Sequence, residues 1–385
     1  MNDLFSTQWT IIRRDKWLLS CLTWIPIALV ISIWAIFSQG LARDLPIGIV
    51  NLSHSQLSRQ LSHYYDATST LKVTRNFTDI AEAKNALVTS KVFAYVVIPT
   101  DFDKSIYQGI PPQVSAFYNS QTILIGKLIS SALVQAQSTF NAQIDTKKVL
   151  LEGGHSIDQA LGAALPVKTQ ITPLFNKNAN YAQFLVSAIV PALWQIIIVV
   201  STILILAANH RNRGLVRWLG NNSTTECLKT LLPYFPIFIV QGLAFLYWFY
   251  MGFKWPMSGS YAVLIFAQII TVFACVVMGS FFFFLTLDPA RAMSFAGAFT
   301  APSFAFMGIT FPVTDMNHLA QAWRSLLPIS HYIEVQVSQV SYGQSVYDAL
   351  PHLLPMLGYL LPALMCALLI RKHLFNTRQS QVEAQ

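Results

Sequence analysis

Residues 181–208 read YAQFLVSAIVPALWQIIIVVSTILILAA, and the next five, 209–213, read NHRNR. A long run with no Asp, Glu, Lys or Arg, closed by a basic cluster, has the composition of a helix that lies in hydrocarbon and stops at a polar boundary. A bilayer core of ~30 Å takes about 20 apolar residues as one helix. Five other runs have the same character: 18–38, 231–251, 257–287, 292–311 and 352–370. Composition agrees, since the 385 residues are 54% hydrophobic and only 11% charged, against about 25% charged in soluble chains. The expected fold class is an α-helical polytopic membrane protein with about six transmembrane helices and an α/β domain inserted after the first.

Orientation follows from the lysines and arginines of the short loops. With the N-terminus inside, the inner segments carry Arg13, Arg14, Lys16, Arg211, Arg213, Arg217, Lys229, Arg291, Arg371, Lys372 and Arg378, and the short outer loops only Lys254 and Arg324. Both termini are therefore expected in the cytoplasm and residues 39–178 outside it. The run 18–38 follows basic residues as a signal peptide would. At about 21 residues it exceeds the 7–15 of a signal core, so it reads as an anchor. Before it, in residues 1–17, Leu4, Phe5, Trp9 and Ile12 recur at helical spacing with Arg13, Arg14 and Lys16 beyond. This pattern suits an amphipathic helix lying in the cytoplasmic interface.

Residues 39–178 change character. Short apolar runs at 47–51, 71–77, 92–98 and 114–118 alternate with helical patterns at 57–65 and 79–90, which argues a small α/β sheet. A long helical stretch, 122–151, ends at Gly153-Gly154. No cysteine falls in this segment; Cys21, Cys227, Cys275 and Cys366 lie elsewhere without metal-like spacing. Neither a strand–GxGxxG–helix nor a GxxxxGK[ST] motif occurs, so the chain offers no nucleotide site of its own.

The most informative feature of the apolar runs is what they omit. They contain no Asp, Glu, Lys or Arg, and only His352 stands at an edge. Ion-coupled transporters, intramembrane proteases and polyprenyl transferases use acids, bases or metal ligands at that depth. Backbone-built sodium sites remain open. Outside the runs, segment 312–350 holds Asp315, His318, Arg324, His331 and Glu334. Two ligands on one face, His331 and Glu334, are too few for a metal, and the segment reads as an interfacial or re-entrant helix pair whose polar groups face water. Glu152, Gly153, Gly154 and His155 read as a helix end. No catalytic residue, metal ligand or bound cofactor is expected, and the basic residues form no nucleic-acid stripe.

The loop 209–230 is more specific. Arg213 and Arg217 are polar, whereas Leu215, Trp218 and Leu219 are expected to form an apolar ridge exposed to the cytosol. Ser223-Thr224-Thr225-Glu226 fits a capping box that starts the next helix.

Taken in order along this topology, several segments resemble the membrane subunit of type-2 ABC exporters, in the subgroup with an external domain after the first span. Val97-Ile98-Pro99-Thr100-Asp101-Phe102 resembles the family's strand-ending segment, and Pro173-Leu174-Phe175-Asn176 its lead into the second span. Phe311-Pro312 with Met316, and Leu327-Pro328 with His331-Tyr332, resemble its outer re-entrant region, preceded here by Gly308. Asn212-Arg213-Gly214-Leu215 matches the family loop only in part, and Asn317 stands where a proline is usual.

The resemblance implies a permease in a bacterial inner membrane that works as a dimer with a second copy or a homologous permease. Cytosolic ATPase subunits would bind the ATP, and a periplasmic adaptor protein could be engaged. On that reading Arg213, Gly214, Leu215, Trp218 and Leu219 meet the ATPase, Trp9 and Ile12 anchor the leader on the bilayer, and residues 371–385 form a cytoplasmic tail. The five spans of 181–370 with the first would carry a hydrophobic or amphipathic cargo outward. A membrane receptor with an external ligand-binding domain, and a secondary transporter using backbone sites, are the competing classes.

Overall fold

A computed structural model describes residues 2–383 apart from 39, 41, 152, 154, 155, 165–173, 177–179 and 221, with side chains placed from 7 to 379. Pro173, and all of the Glu152–His155 group but Gly153, lie outside the described residues, as do the side chains of Leu4 and Phe5. The chain divides into two units, Met1–Gly40 with Pro173–Gln385, and Leu41–Thr172.

In the smaller unit, β1 (Leu45–Asn51), β2 (Leu71–Phe77), β3 (Ala94–Ile98) and β4 (Ser115–Tyr118) form one sheet in the order β2-β1-β3-β4. β1 is parallel to both neighbours, and β4 closes the edge antiparallel to β3. Side chains alternate between faces with period two. Ile47, Ile49, Val96 and Ile98 pack with Leu61, Tyr65 and Phe140 of helices Gln56–Asp66 and Ile123–Leu151. Val50 and Tyr95 join Ala83 and Ala86 of helix Ile80–Val88 on the other face. Tyr64 and Tyr65 donate to Gln143 and Gln137, both at 2.6 Å, and tie the two helices of the first face together. Gly48 is required where it stands: a Cβ there would lie 2.2 Å from the Phe77 ring.

Among the described residues of the larger unit, four helices are long and apolar enough to cross a membrane: Tyr181–Arg213, Ser223–Gly252, Tyr261–Thr286 and Val346–Gln379. The pair Lys16–Leu22 and Trp24–Phe37, bent by 48°, is long and apolar enough to make a fifth if it is one span. The break has a local cause. Pro26 has no N–H to give the carbonyl of Leu22, four residues back, and Gln241 of another helix donates to that carbonyl at 3.0 Å instead. The expected single helix over 18–38 is thus two pieces.

The run 292–311 departs further from expectation. It contributes to a helix Pro289–Thr300 of 12 residues, ~18 Å long at 1.5 Å per residue, too short to cross ~30 Å of hydrocarbon alone. Pro302 and the positive φ of Gly308 end the helical path. A turn Ser303–Phe306 and helices His318–Ser325 and Pro328–Val340 follow.

The last of these helices is buried along nearly its whole length and packs on the 181–213 and 261–286 helices. It does not lie on the surface with its polar groups in water. Two of its amides bond inside: Gln336 donates to Ser187 O at 2.8 Å, and Gln339 accepts from Ser260 N at 3.0 Å.

Candidate functional site: the corner between the second and third spans

The 33-residue helix Tyr181–Arg213 ends at Gly214, whose φ of +70° suits a residue without Cβ. Five residues, Leu215–Leu219, then form one helical turn, and Gly220, also at positive φ, reverses the chain into Ser223–Leu231. His210, Arg211 and Arg213 fill the last turn of the long helix, where cations oppose the negative end of its dipole. The expected capping box is absent. Asn222 occupies the cap position without a side-chain bond, Ser223 is already helical and buried, and Glu226 pairs with Lys229 at 2.7 Å.

The apolar ridge faces inward, contrary to expectation. Leu215, Trp218 and Leu219 are each 5% exposed or less. Trp218 stacks on Phe284 at 6.2 Å and donates from Nε1 to Thr230 at 3.0 Å. The physical reason lies at the end of the 261–286 helix, where Phe283 and Phe284 supply an apolar wall large enough for the only face a five-residue helix has. What the corner leaves exposed is polar: Arg211, Asn212 and Arg217. The C-terminal helix closes the corner, with His373 bonded to Phe284 O at 2.9 Å and Arg378 donating to Gly220 O at 3.0 Å.

The leader, helix Asn2–Arg14, is fastened to this corner. Gln8 and Asn209 exchange amide hydrogen bonds of 3.1 and 3.2 Å, and Tyr234 donates to Gln8 at 3.1 Å. Ile11 and Ile12 are buried against the spans, whereas Trp9 is exposed with Arg13 5.1 Å over its ring. Trp9 and Ile12 thus do different things: one faces outward, the other packs inward. Asp15 caps the next helix and meets Arg211 at 3.4 Å, a partly solvated pair worth little by itself.

The outer-segment residues are gathered around a second centre. Tyr332 is fully buried, 3.3 Å from Gln268 and edge-on to Trp194. Met316 and Pro328 are buried, and Phe311 and Pro312 are exposed. His331 meets Ser325 O at 3.0 Å, and burial pushes its imidazole below the usual range. Glu334 has partners other than His331. It bridges Arg324 at 2.5 Å and His352 at 3.2 Å, and among the described residues no group of three or more His, Cys, Asp or Glu converges on a metal position.

Sequence reasoning missed the amides. Gln195 accepts from Ile329 N at 3.0 Å and donates to Ser303 at 3.1 Å, and so ties the interrupted fifth run to the buried helix that follows it. Gln268 donates to Gly242 O at 3.0 Å. Pro191 deprives the Ser187 carbonyl of its helical donor, and Gln336 supplies one. The signal was available, because in uncharged runs the few amides are among the groups that can both donate to and accept from an orphaned backbone atom. At the entry to the second span, Asn176 bonds Asn180 twice, and Asn180 caps the helix through Gln183 N. That is the local work of the Phe175-Asn176 pair noted in the sequence.

A family model for ABC-2 family transporter proteins matches residues 16–369. No curated protein matches the chain, and no solved structure does. The fold and the match define a multi-pass membrane transport component. The chain belongs to the ABC-2 family of transporter proteins and is an ABC transporter permease. Members of this family work with a partner ATPase subunit and are generally not catalytic themselves.

Proposed function

We propose that the chain is the permease of an ABC exporter that moves a hydrophobic or amphipathic substrate outward across a bacterial inner membrane. Two permeases, identical or homologous, form the path, and separate cytosolic ATPase subunits supply the energy. Both termini are cytoplasmic, the α/β unit lies outside, and no cofactor is held by this chain. The family match along residues 16–369 carries this reading. The lack of charge in the apolar runs, which leaves no ion relay, and the basic rim of the corner support it.

In this reading the coupling role shifts within the loop. Arg213 and Gly214 turn the chain, the exposed Arg211 and Arg217 meet the ATPase, and Leu215, Trp218 and Leu219 pass its motion to Phe284 and the fourth span. Co-purification with a cytosolic ABC ATPase is the test, together with a reporter active only outside the cytoplasm. Fusions near residues 100, 255 and 335 should be active, and those near 220, 289 and 380 silent. Loss of ATPase co-purification, or the reverse reporter pattern, overturns the reading.

A further inference from the structure

The break in the first span leaves an open groove of about 970 Å³ between it and the second and third spans. Its walls include Ile27, Val30, Val190, Trp194, Val240 and Ala244. At its Leu22 end, Thr23 donates to Leu19 O and the Gln241 amide N–H serves Leu22 O. Gln241 Oε1 is buried without a partner, and the remaining walls are aliphatic and aromatic side chains. Its outer edges, Trp24, Ile27 and Val240, are each about 60% exposed, so on a membrane-spanning bundle the groove opens sideways into hydrocarbon.

Two further features say what fits. The first is length. The groove runs from Leu22 to Ile31 along the first span and from Pro236 to Trp248 along the third, ~14 and ~18 Å of helix, against ~15 Å for half of a bilayer core. It is one leaflet deep. The second is charge. The Leu22 end follows directly on helix Lys16–Leu22, before which Arg13 and Arg14 are exposed; Lys16 and Trp17 are exposed at its start. The one acid among them, Asp15, is taken up by its cap and by Arg211. Exposed lysine, arginine and tryptophan at a membrane boundary are the chemistry that attracts anionic headgroups.

We infer that this groove binds an acyl chain of an anionic phospholipid from the leaflet on the Lys16 side, with its headgroup against Arg14, Lys16 and Trp17. The lipid replaces the packing that a straight first span would have made and holds the bent pair at its angle.

The test uses the full chain purified in a mild detergent with phosphatidylglycerol or phosphatidylcholine and examined by native mass spectrometry. Wild type should retain a phospholipid and prefer phosphatidylglycerol. Ala244→Trp, which fills the groove, should lower retention severalfold; Val240→Phe serves if that variant does not fold. Arg14→Gln with Lys16→Gln should keep a lipid but lose about thirtyfold of the preference, as two interfacial charges would give. The inference is overturned if wild type retains no phospholipid, if filling the groove leaves retention unchanged, or if the charge variant keeps the full preference. It is also overturned if Ile27→Cys, in a Cys21→Ser background, forms a disulfide between copies, because a second chain would then cover the groove.

Discussion

Replacing Gln336 by methionine tests how the interior tolerates broken helices. Met keeps most of the volume of Gln but removes the donor that sits 2.8 Å from Ser187 O. Pro191 cannot serve that carbonyl, so the substitution leaves it orphaned in a buried helix. An unsatisfied buried acceptor costs about 1–3 kcal/mol, while side-chain hydrogen bonds between membrane helices average about 0.6 kcal/mol and reach about 1.7. Gln336 Oε1 has no partner, so its removal offsets part of the loss. The expected net cost is about 1 kcal/mol.

The discriminating measurement is a double-mutant cycle with Pro191→Ala. Alanine restores the N–H four residues after Ser187, so in that background Gln336→Met should cost less than half as much. Unfolding free energies come from titration of the micellar protein with sodium dodecyl sulfate, followed by far-ultraviolet circular dichroism. Equal cost in both backgrounds would refute the reasoning, because Gln336 would then be acting through packing alone.

Trp218→Ala should lower the unfolding midpoint, since truncating a buried tryptophan costs about 3–5 kcal/mol. Arg217→Glu should leave the midpoint unchanged and weaken ATPase binding severalfold in a pull-down. Gly48→Ala should destabilise residues 41–172, expressed alone, by about 1–3 kcal/mol through overpacking against Phe77. Adding Phe77→Leu should recover part of that loss, both read from circular dichroism melts under reducing conditions. His331 has a folded-state pKa below that of the unfolded chain, so the unfolded chain binds more protons in acid. Its contribution to stability is complete above pH of about 6.5 and is lost as pH falls below that value. His331→Gln should flatten that part of the profile of unfolding midpoint against pH.

The strands of the α/β unit were legible because alternation of apolar residues fixes both element and face. β2 has the bounds expected, β1 begins two residues earlier, and β3 begins two later. The long membrane helices were legible for the simpler reason that nothing else accommodates such runs. Where reading failed, a tertiary partner decided. Hydropathy places 292–311 in a membrane but cannot see that Gln195 is available to hold Ser303 and Ile329, which lets the run break and its sequel return as a buried helix. Leu215, Trp218 and Leu219 read as a surface ridge because the loop was taken alone. Phe283 and Phe284, some 65 residues later, turn it inward. The Gln8–Asn209 pair spans 201 residues and leaves no local pattern in either segment.

The choice of amide over charge inside the bundle has a mechanistic consequence. A broken helix in hydrocarbon must have its exposed backbone groups answered, and here Gln195, Gln241, Gln268 and Gln336 do so. A lysine or aspartate could also donate or accept, but each costs about 2.5–3.5 kcal/mol to place at mid-membrane on insertion scales and brings a proton equilibrium with it. Glutamine serves the same carbonyls without either. The four glutamines can therefore support a bent first span and an interrupted fifth run without themselves gaining or losing a proton. On the proposed function, the work of moving those segments comes from the partner ATPase and not from these residues. Packed contacts run from the 209–220 turn through Trp218 to Phe284, and from Asn209 through Gln8 to the leader, and on that proposal they are the route it takes.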